Sequence, residues 1–277
     1  MSAIDDSLIN RAAPPGSMRY FSLLYTPEER RDAVLALYVI ESEIRESSRS
    51  ASHDVAHTRL QWWRGETDRL VNGNPQHPAT KVLFASALGD RAAFGKLHEV
   101  LVAADMDLAR MTYTDQRELR VYSSRSGGAI QELVASQLVA PGTLDETTRA
   151  AANKLGVGIR QAEMIRDLRQ DAFDGNVYLP LDVLEKHNLK PDQLRARDMD
   201  PKLKEALSSF RDTTLAELTP PPRGPQTQHL RPVLVLAALH RKLLDRIAAR
   251  NYAVTTERID LGPIQKPWTA WRAARRA

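Results

Sequence analysis

Asp167 and Asp171 stand four residues apart near the end of the run 155–171, which continues through Gly175-Asn176-Val177 to Tyr178-Leu179-Pro180. If that run is helical, both carboxylates project from one face, about 6 Å apart along the axis. A pair so placed can hold a hard cation, and Mg²⁺ in particular is usually bound by one or two carboxylates together with substrate phosphates. The pair can equally form a solvated face or partner neighbouring guanidiniums such as those of Arg166 and Arg169. His53 and His57 share the same spacing but lack the glutamate and third ligand of a zinc protease, so they read as a solvated helix start. The chain has no cysteine, which excludes disulfide and thiolate chemistry.

Helices must position these groups. Thr26-Pro27-Glu28-Glu29 combines a capping threonine, a proline at the first helical position and a capping-box glutamate, then opens an apolar periodic run through Val34, Leu37, Tyr38 and Ile44. A second capping box, Thr143-Leu144-Asp145-Glu146, starts the helix that should carry both aspartates. The pattern predicts further helices at about 54–72, 78–89, 92–110, 114–139, 181–187, 200–217, 229–250 and 266–276. No segment alternates as a strand between hairpin turns. The proline-rich stretch 220–225 is too short to link two domains and reads as a loop, so the expected architecture is one all-α domain over residues 1–277.

At 42% hydrophobic and 27% charged residues, the chain can bury a sizeable core. Its net charge of +4 suits phosphorylated ligands or anionic lipid and selects neither. No nucleic-acid-binding module is recognisable. The longest uncharged apolar run, Val233 to Leu239, is far short of the roughly 20 residues a spanning helix requires, and the N-terminal stretch, with Asp5 and Asp6, is expected to lack an apolar run long enough for a signal peptide. The expectation is a soluble cytoplasmic chain, or one peripheral to the inner membrane. Trp268-Thr269-Ala270-Trp271-Arg272-Ala273-Ala274-Arg275-Arg276 pairs aromatics with arginines as an interfacial anchor would. The plainer reading packs those tryptophans on the core and leaves the arginines in water.

The segment around Asp167 closely resembles the second aspartate-rich motif of the squalene/phytoene synthase family, a run like LGxAxQxxNxLRDxxxDxxxGRxYLP, and matches best at its tail. Other segments follow in order. Arg31 to Tyr38 resembles the start of the helix that bears the family's first aspartate-rich motif, and Leu60-Gln61-Trp62-Trp63-Arg64 its Leu-x-x-Trp-Arg pattern, which also reads as a core aromatic on an amphipathic helix. Tyr122 to Ile130 resembles the family's YxxxxAGxV helix, where small residues such as Gly127 and Gly128 leave room for a prenyl chain or diphosphate, although close helix packing accounts for a Gly-Gly pair as well. The resemblance implies an isoprenoid-synthase-like helical domain around a central cavity. In it, Mg²⁺ bridges two prenyl diphosphates to acidic motifs on facing helices, while an apolar wall shields the allylic cation.

Laying Ala36-Leu37-Tyr38 onto the family's ALY places Arg45 and Arg49 where the first motif has its aspartates. A guanidinium cannot ligate Mg²⁺, and sliding the register to use the nearby Glu41, Glu43 or Glu46 would turn the carboxylates to a different helix face, since each one-residue slip turns a helical side chain by about 100°. Arg45 and Arg49 can instead bind a diphosphate directly, or approach the Asp167 cluster and neutralise it. Arg160 and Glu163 replace the family's glutamine and asparagine, and His240 stands at a common tyrosine, while Asp167, Asp171, Tyr178 and Pro180 are retained. The resemblance therefore implies Asp167 and Asp171 as the only Mg²⁺ ligands, with Arg45, Arg49, Tyr122, Gly127, Gly128, Arg166 and Tyr178 as substrate-binding residues. The expected function is binding of a prenyl diphosphate or other lipid without conventional head-to-head synthesis. One alternative is an active prenyltransferase of squalene, phytoene or related isoprenoid biosynthesis that works from Asp167 and Asp171. The other is a non-catalytic role with respiratory assembly partners, because the mitochondrial complex I assembly factor with this fold, and its bacterial relatives, resemble this chain in lacking the first acidic motif.

Overall fold

Helix α3 (Glu28–Ser48) is buried at every position from 33 to 40, and a helix with no polar face over two turns has to be enclosed by others. The computed structural model describes residues 4–86, 91–140 and 142–277, and all regular structure among them is helical. Around α3 pack α1 (Asp6–Ala12), α2 (Met18–Leu24), α4 (His53–Val71), α5 (Pro78–Ser86), α6 (Leu97–Leu108) and α8 (Ala129–Ser136). Helix α9 (Glu146–Arg166) is the second buried axis, with residues 155–165 all inside. It is flanked by α7 (Gln116–Ser123), α8, α12 (Pro201–Glu217) and α13 (Arg231–Ala249). Short helices α10 (Leu168–Phe173) and α11 (Leu181–Lys186) follow α9, and α14 (Gln265–Arg276) packs along α13. One contiguous apolar cluster runs from Ile4 to Ala270.

Several local expectations change. Thr26 does not cap α3; its hydroxyl donates to the Ser22 carbonyl and closes the preceding helix, leaving Pro27 at the cap position. Helix α9 starts two residues later than a cap at Thr143 would give, because Asp145 accepts from the Thr148 amide and hydroxyl. The predicted helix 92–110 is a 3₁₀ segment, Arg91–Lys96, followed by α6, and residues 87–89 of the predicted helix 78–89 lie outside the described residues. The predicted helix 114–139 contains a π turn over Ser124–Gly128 between α7 and α8. Trp63 joins the core, whereas Trp62, Trp268 and Trp271 are substantially exposed.

The π turn sets the position of α9. A Cβ on Gly127 would lie 2.4 Å from the Gly156 carbonyl oxygen, and one on Gly156 would lie 2.5 Å from the Gly127 oxygen. The two backbones therefore cross in direct contact, and the space left by Gly127 and Gly128 is taken by Gly156 and Asn153. Close packing, the second reading of the Gly-Gly pair, is the one seen. Gly127→Ala is expected to lower the unfolding free energy by about 1–3 kcal/mol, the usual cost of overpacking, although glycine to alanine inside an unconstrained helix stabilises by nearly 1 kcal/mol. Urea denaturation distinguishes the two signs, and a stabilised variant would disprove the contact.

Candidate functional site

Helices α3 and α9 face each other across the interior and meet through long side chains. Arg45 lies between Glu41, 2.7 Å away on its own helix, and Glu163 of α9 at 3.0 Å. Arg19 of α2 holds the other Glu41 oxygen at 2.6 Å. One turn along α3, Arg49 donates to Asp171 Oδ1 at 2.9 Å. Arg166 grips both oxygens of Asp167, at 2.9 and 2.5 Å, and Arg258 stands 4.0 Å from the same carboxylate. The approach of Arg45 and Arg49 to the acidic motif, expected from their positions, is thus direct.

Deeper in, Asp107 of α6 accepts from the hydroxyls of Tyr122 and Tyr178 at 2.7 and 2.8 Å. Arg160 donates to the Tyr122 oxygen at 2.9 Å and lies 4.9 Å above the Tyr178 ring. Five guanidiniums, of Arg19, Arg45, Arg49, Arg160 and Arg166, so meet five carboxylates, of Glu41, Asp107, Glu163, Asp167 and Asp171. The void bordered by Glu41, Ile44, Arg45, Asp107, Tyr122 and their neighbours measures about 10 Å³, room for a single water. A larger cleft of about 380 Å³ opens at the outer end, bordered by Arg49, Arg166, Asp167, Arg169, Asp171 and Arg258.

The two aspartates are not equivalent. The chain departs from helical geometry at Asp167 (φ −99°, ψ 13°), although the Asp171 amide still bonds the Asp167 carbonyl at 2.9 Å. The expected single helix face is therefore interrupted, with the Asp167 side chain 27% exposed and that of Asp171 2%. Burial raises the Asp171 carboxyl to about 6, against the pull of Arg160 and Arg49. Its Oδ2 has no hydrogen-bond partner, so the pairing with Arg49 offsets only part of the desolvation. Burial also penalises the Glu163 anion, yet Arg45, Arg19 and Arg160 outweigh it and hold this carboxyl well below the usual range. Burial pushes Tyr122 up to about 12 and Tyr178 well above the usual phenol value, which keeps both as neutral donors to Asp107.

Mg²⁺ demands near-octahedral oxygen ligation. Of the four oxygens on Asp167 and Asp171, guanidiniums engage three, and the fourth is buried. No group of three or more His, Asp or Glu side chains suited to a metal occurs among the described residues. The donor set in this arrangement does not fit a metal ion. Motif reasoning located Arg45, Arg49, Tyr122, Arg166 and Tyr178, all of which border the network, but missed Arg19, Glu41 and Asp107. Glu41 carried a signal, since it lies one turn before Arg45; Asp107 and Arg19 carried none.

Residues 13–272 match the squalene/phytoene synthase family profile. The chain belongs to this family. A chloroplastic phytoene synthase from an Oncidium hybrid cultivar is 27% identical over 260 residues, covering 88% of this chain and 61% of that protein. The chain thus spans about three-fifths of the length of that curated relative. In three dimensions the chain is similar to a dehydrosqualene synthase solved in complex with ligand, with a TM-score of 0.83 at 13% identity over 98% of this chain and 95% of that one. Squalene synthase HpnC from Alicyclobacillus acidocaldarius superimposes with a TM-score of 0.71 at 17% identity, covering 90% of this chain and 97% of that one. This squalene/phytoene synthase-like chain therefore has the helical isoprenoid-synthase fold.

The raised Asp171 has a consequence for stability. Its folded value of about 6 exceeds the unfolded 3.8, so the folded state retains a proton that the unfolded state gives up; the associated stability is full at low pH and is lost as pH rises through about 6. Asp171→Asn is expected to flatten the fall in unfolding free energy between about pH 4 and 7, by at most about 3 kcal/mol. Urea melts of both proteins across that range measure the difference, and a difference independent of pH would contradict the assignment.

Proposed function

We propose that this family member binds a prenyl diphosphate at the arginine-lined cleft and does not perform conventional two-substrate head-to-head synthesis. The observation that carries this reading is that the two carboxylates that would gather metal are already paired, Asp171 with Arg49 and Asp167 with Arg166, while Arg45 of α3 holds Glu163 of α9 beside them. Arg49, Arg166, Arg169 and Arg258 border a cleft of ligand size, and guanidinium matches phosphate oxygens bidentately. The proteins named above as phytoene, dehydrosqualene and squalene synthases support a prenyl diphosphate as the ligand class. Binding needs only cations and an apolar contact, whereas ionisation of the diphosphate ester needs charge stabilisation that grows in the transition state.

One observation favours a second reading, a transferase working from Asp167 and Asp171 alone: the buried Asp171 Oδ2 has no partner and could accept a cation once a ligand displaces Arg49.

Purified protein given farnesyl or geranylgeranyl diphosphate with Mg²⁺ is expected to bind the diphosphate by calorimetry, with little dependence on Mg²⁺, and to yield no squalene or phytoene by mass spectrometry. Arg49→Gln and Arg166→Gln are each expected to weaken binding about tenfold, the loss of one charge-assisted contact. Robust product formation that Asp167→Asn abolishes would overturn the first reading in favour of the second.

A further inference from the structure

On the last helix, Ile264 just before α14 is 81% exposed, Trp268 57% and Trp271 38%. Their spacing of four and three residues aligns them in one stripe, which contradicts the plainer reading that the tryptophans pack on the core. The two indole rings stack on each other with centroids 5.0 Å apart, and the Arg275 guanidinium lies 4.5 Å above the Trp271 ring. Large aromatics left in water as a contiguous ridge mark an interaction surface.

Beside the ridge, α14, α13 and the end of α12 enclose a groove of about 940 Å³. Its floor includes Leu218 and Leu234, and its rim carries Arg223, Arg241, Lys242, Arg272 and Arg276. Asp245 is the one acidic side chain among its described lining residues, and Arg211 already holds Asp245 at 2.9 Å. The five cationic side chains of the rim thus outnumber the single acidic side chain of the described lining. An apolar and aromatic stripe flanked by arginines is the pattern of a helix lying in a membrane interface, where stems and rings sit at the acyl boundary and guanidiniums among phosphates. No helix among the described residues is long and apolar enough to cross a membrane, so contact would be from one side. A second copy of the chain is a poor occupant, because a two-fold contact on this face would set arginines against arginines.

We propose that the face formed by α13 and α14 docks on an anionic lipid bilayer, with Ile264, Trp268 and Trp271 at the acyl boundary and the rim cations among the headgroups. The charged band steers the protein to the surface and the ridge retains it there. This face shares no lining residue with the cleft at Asp167, and the proposal does not depend on what that cleft binds.

Vesicle flotation of the full chain tests it, with phosphatidylcholine vesicles and with vesicles containing about 30% phosphatidylglycerol. Expected are at least tenfold tighter binding to the anionic vesicles, loss of that binding at high salt, and a tenfold or greater loss in Trp268→Ala/Trp271→Ala. Arg272→Gln/Arg276→Gln should weaken anionic binding several-fold, while Val121→Ala, which removes an exposed apolar side chain elsewhere, should leave it unchanged. All four substituted ridge and rim residues are exposed, and circular dichroism checks that the variants fold. Equal partition to neutral and anionic vesicles, or undiminished binding by the tryptophan variant, would overturn the proposal. So would absence of vesicle binding together with a dimer, seen by light scattering, that the tryptophan variant abolishes; the occupant would then be a second copy.

Discussion

Charge neutrality inside the helical bundle is the constraint on which the rest of the structure depends. Helix α9 carries Glu163 into the interior and leads to Asp171 just beyond its end, where isolated anions would be costly to bury. Helix α3 supplies the counter-charges from across the interior, through Arg45 and Arg49. Each arginine is long enough to bridge helices whose backbones stay apart. Removing one partner of such a pair leaves a buried charge unmatched, which typically costs about 3–5 kcal/mol. Arg160 extends the same logic inward, where its charge meets the Tyr122 hydroxyl, the Tyr178 ring and, through them, Asp107.

That constraint also relates the chain to its family. Acidic motifs on facing helices, which the sequence resemblance implies for the family, would repel until cations enter. Exchanging one set of aspartates for arginines turns repulsion into attraction, and the protein then supplies its own cations. Guanidiniums and phenols also border the small void beside Glu41 and Asp107. The outer cleft remains open, with Arg166, Arg169 and Arg258 on its border.

Much of this was legible in the chain before any coordinates. Periodicity exposed α4, α12 and α13 to within a residue or two, because long amphipathic helices repeat their signal over many turns. Helices α1 and α2, each of seven residues, gave too few turns to register. The departure at Asp167 had no signal either, since Ile165-Arg166-Asp167-Leu168 contains neither glycine nor proline. At the site, the offset from Ala36-Leu37-Tyr38 located Arg45 and Arg49, and helical spacing then aimed them correctly. Asp107 was invisible because its partners Tyr122 and Tyr178 lie 15 and 71 residues away, and no local pattern encodes such contacts. The crossing at Gly127 and Gly156 was half visible: glycines marked close approach, but only the fold showed that the approaching group is backbone.

The central claim is that Arg45 and Arg49, on and just after α3, neutralise Glu163 of α9 and Asp171 of α10 as specific pairs, and a double-mutant cycle on Arg45 and Glu163 measures this directly. Arg45→Gln, Glu163→Gln and the double variant would be unfolded in urea beside the parent protein, and the cycle would cancel the separate contacts of Arg45 with Glu41. The account expects a favourable coupling of about 1–3 kcal/mol, with the double variant more stable than the sum of the single losses implies. Additive losses, with coupling indistinguishable from zero, would contradict it.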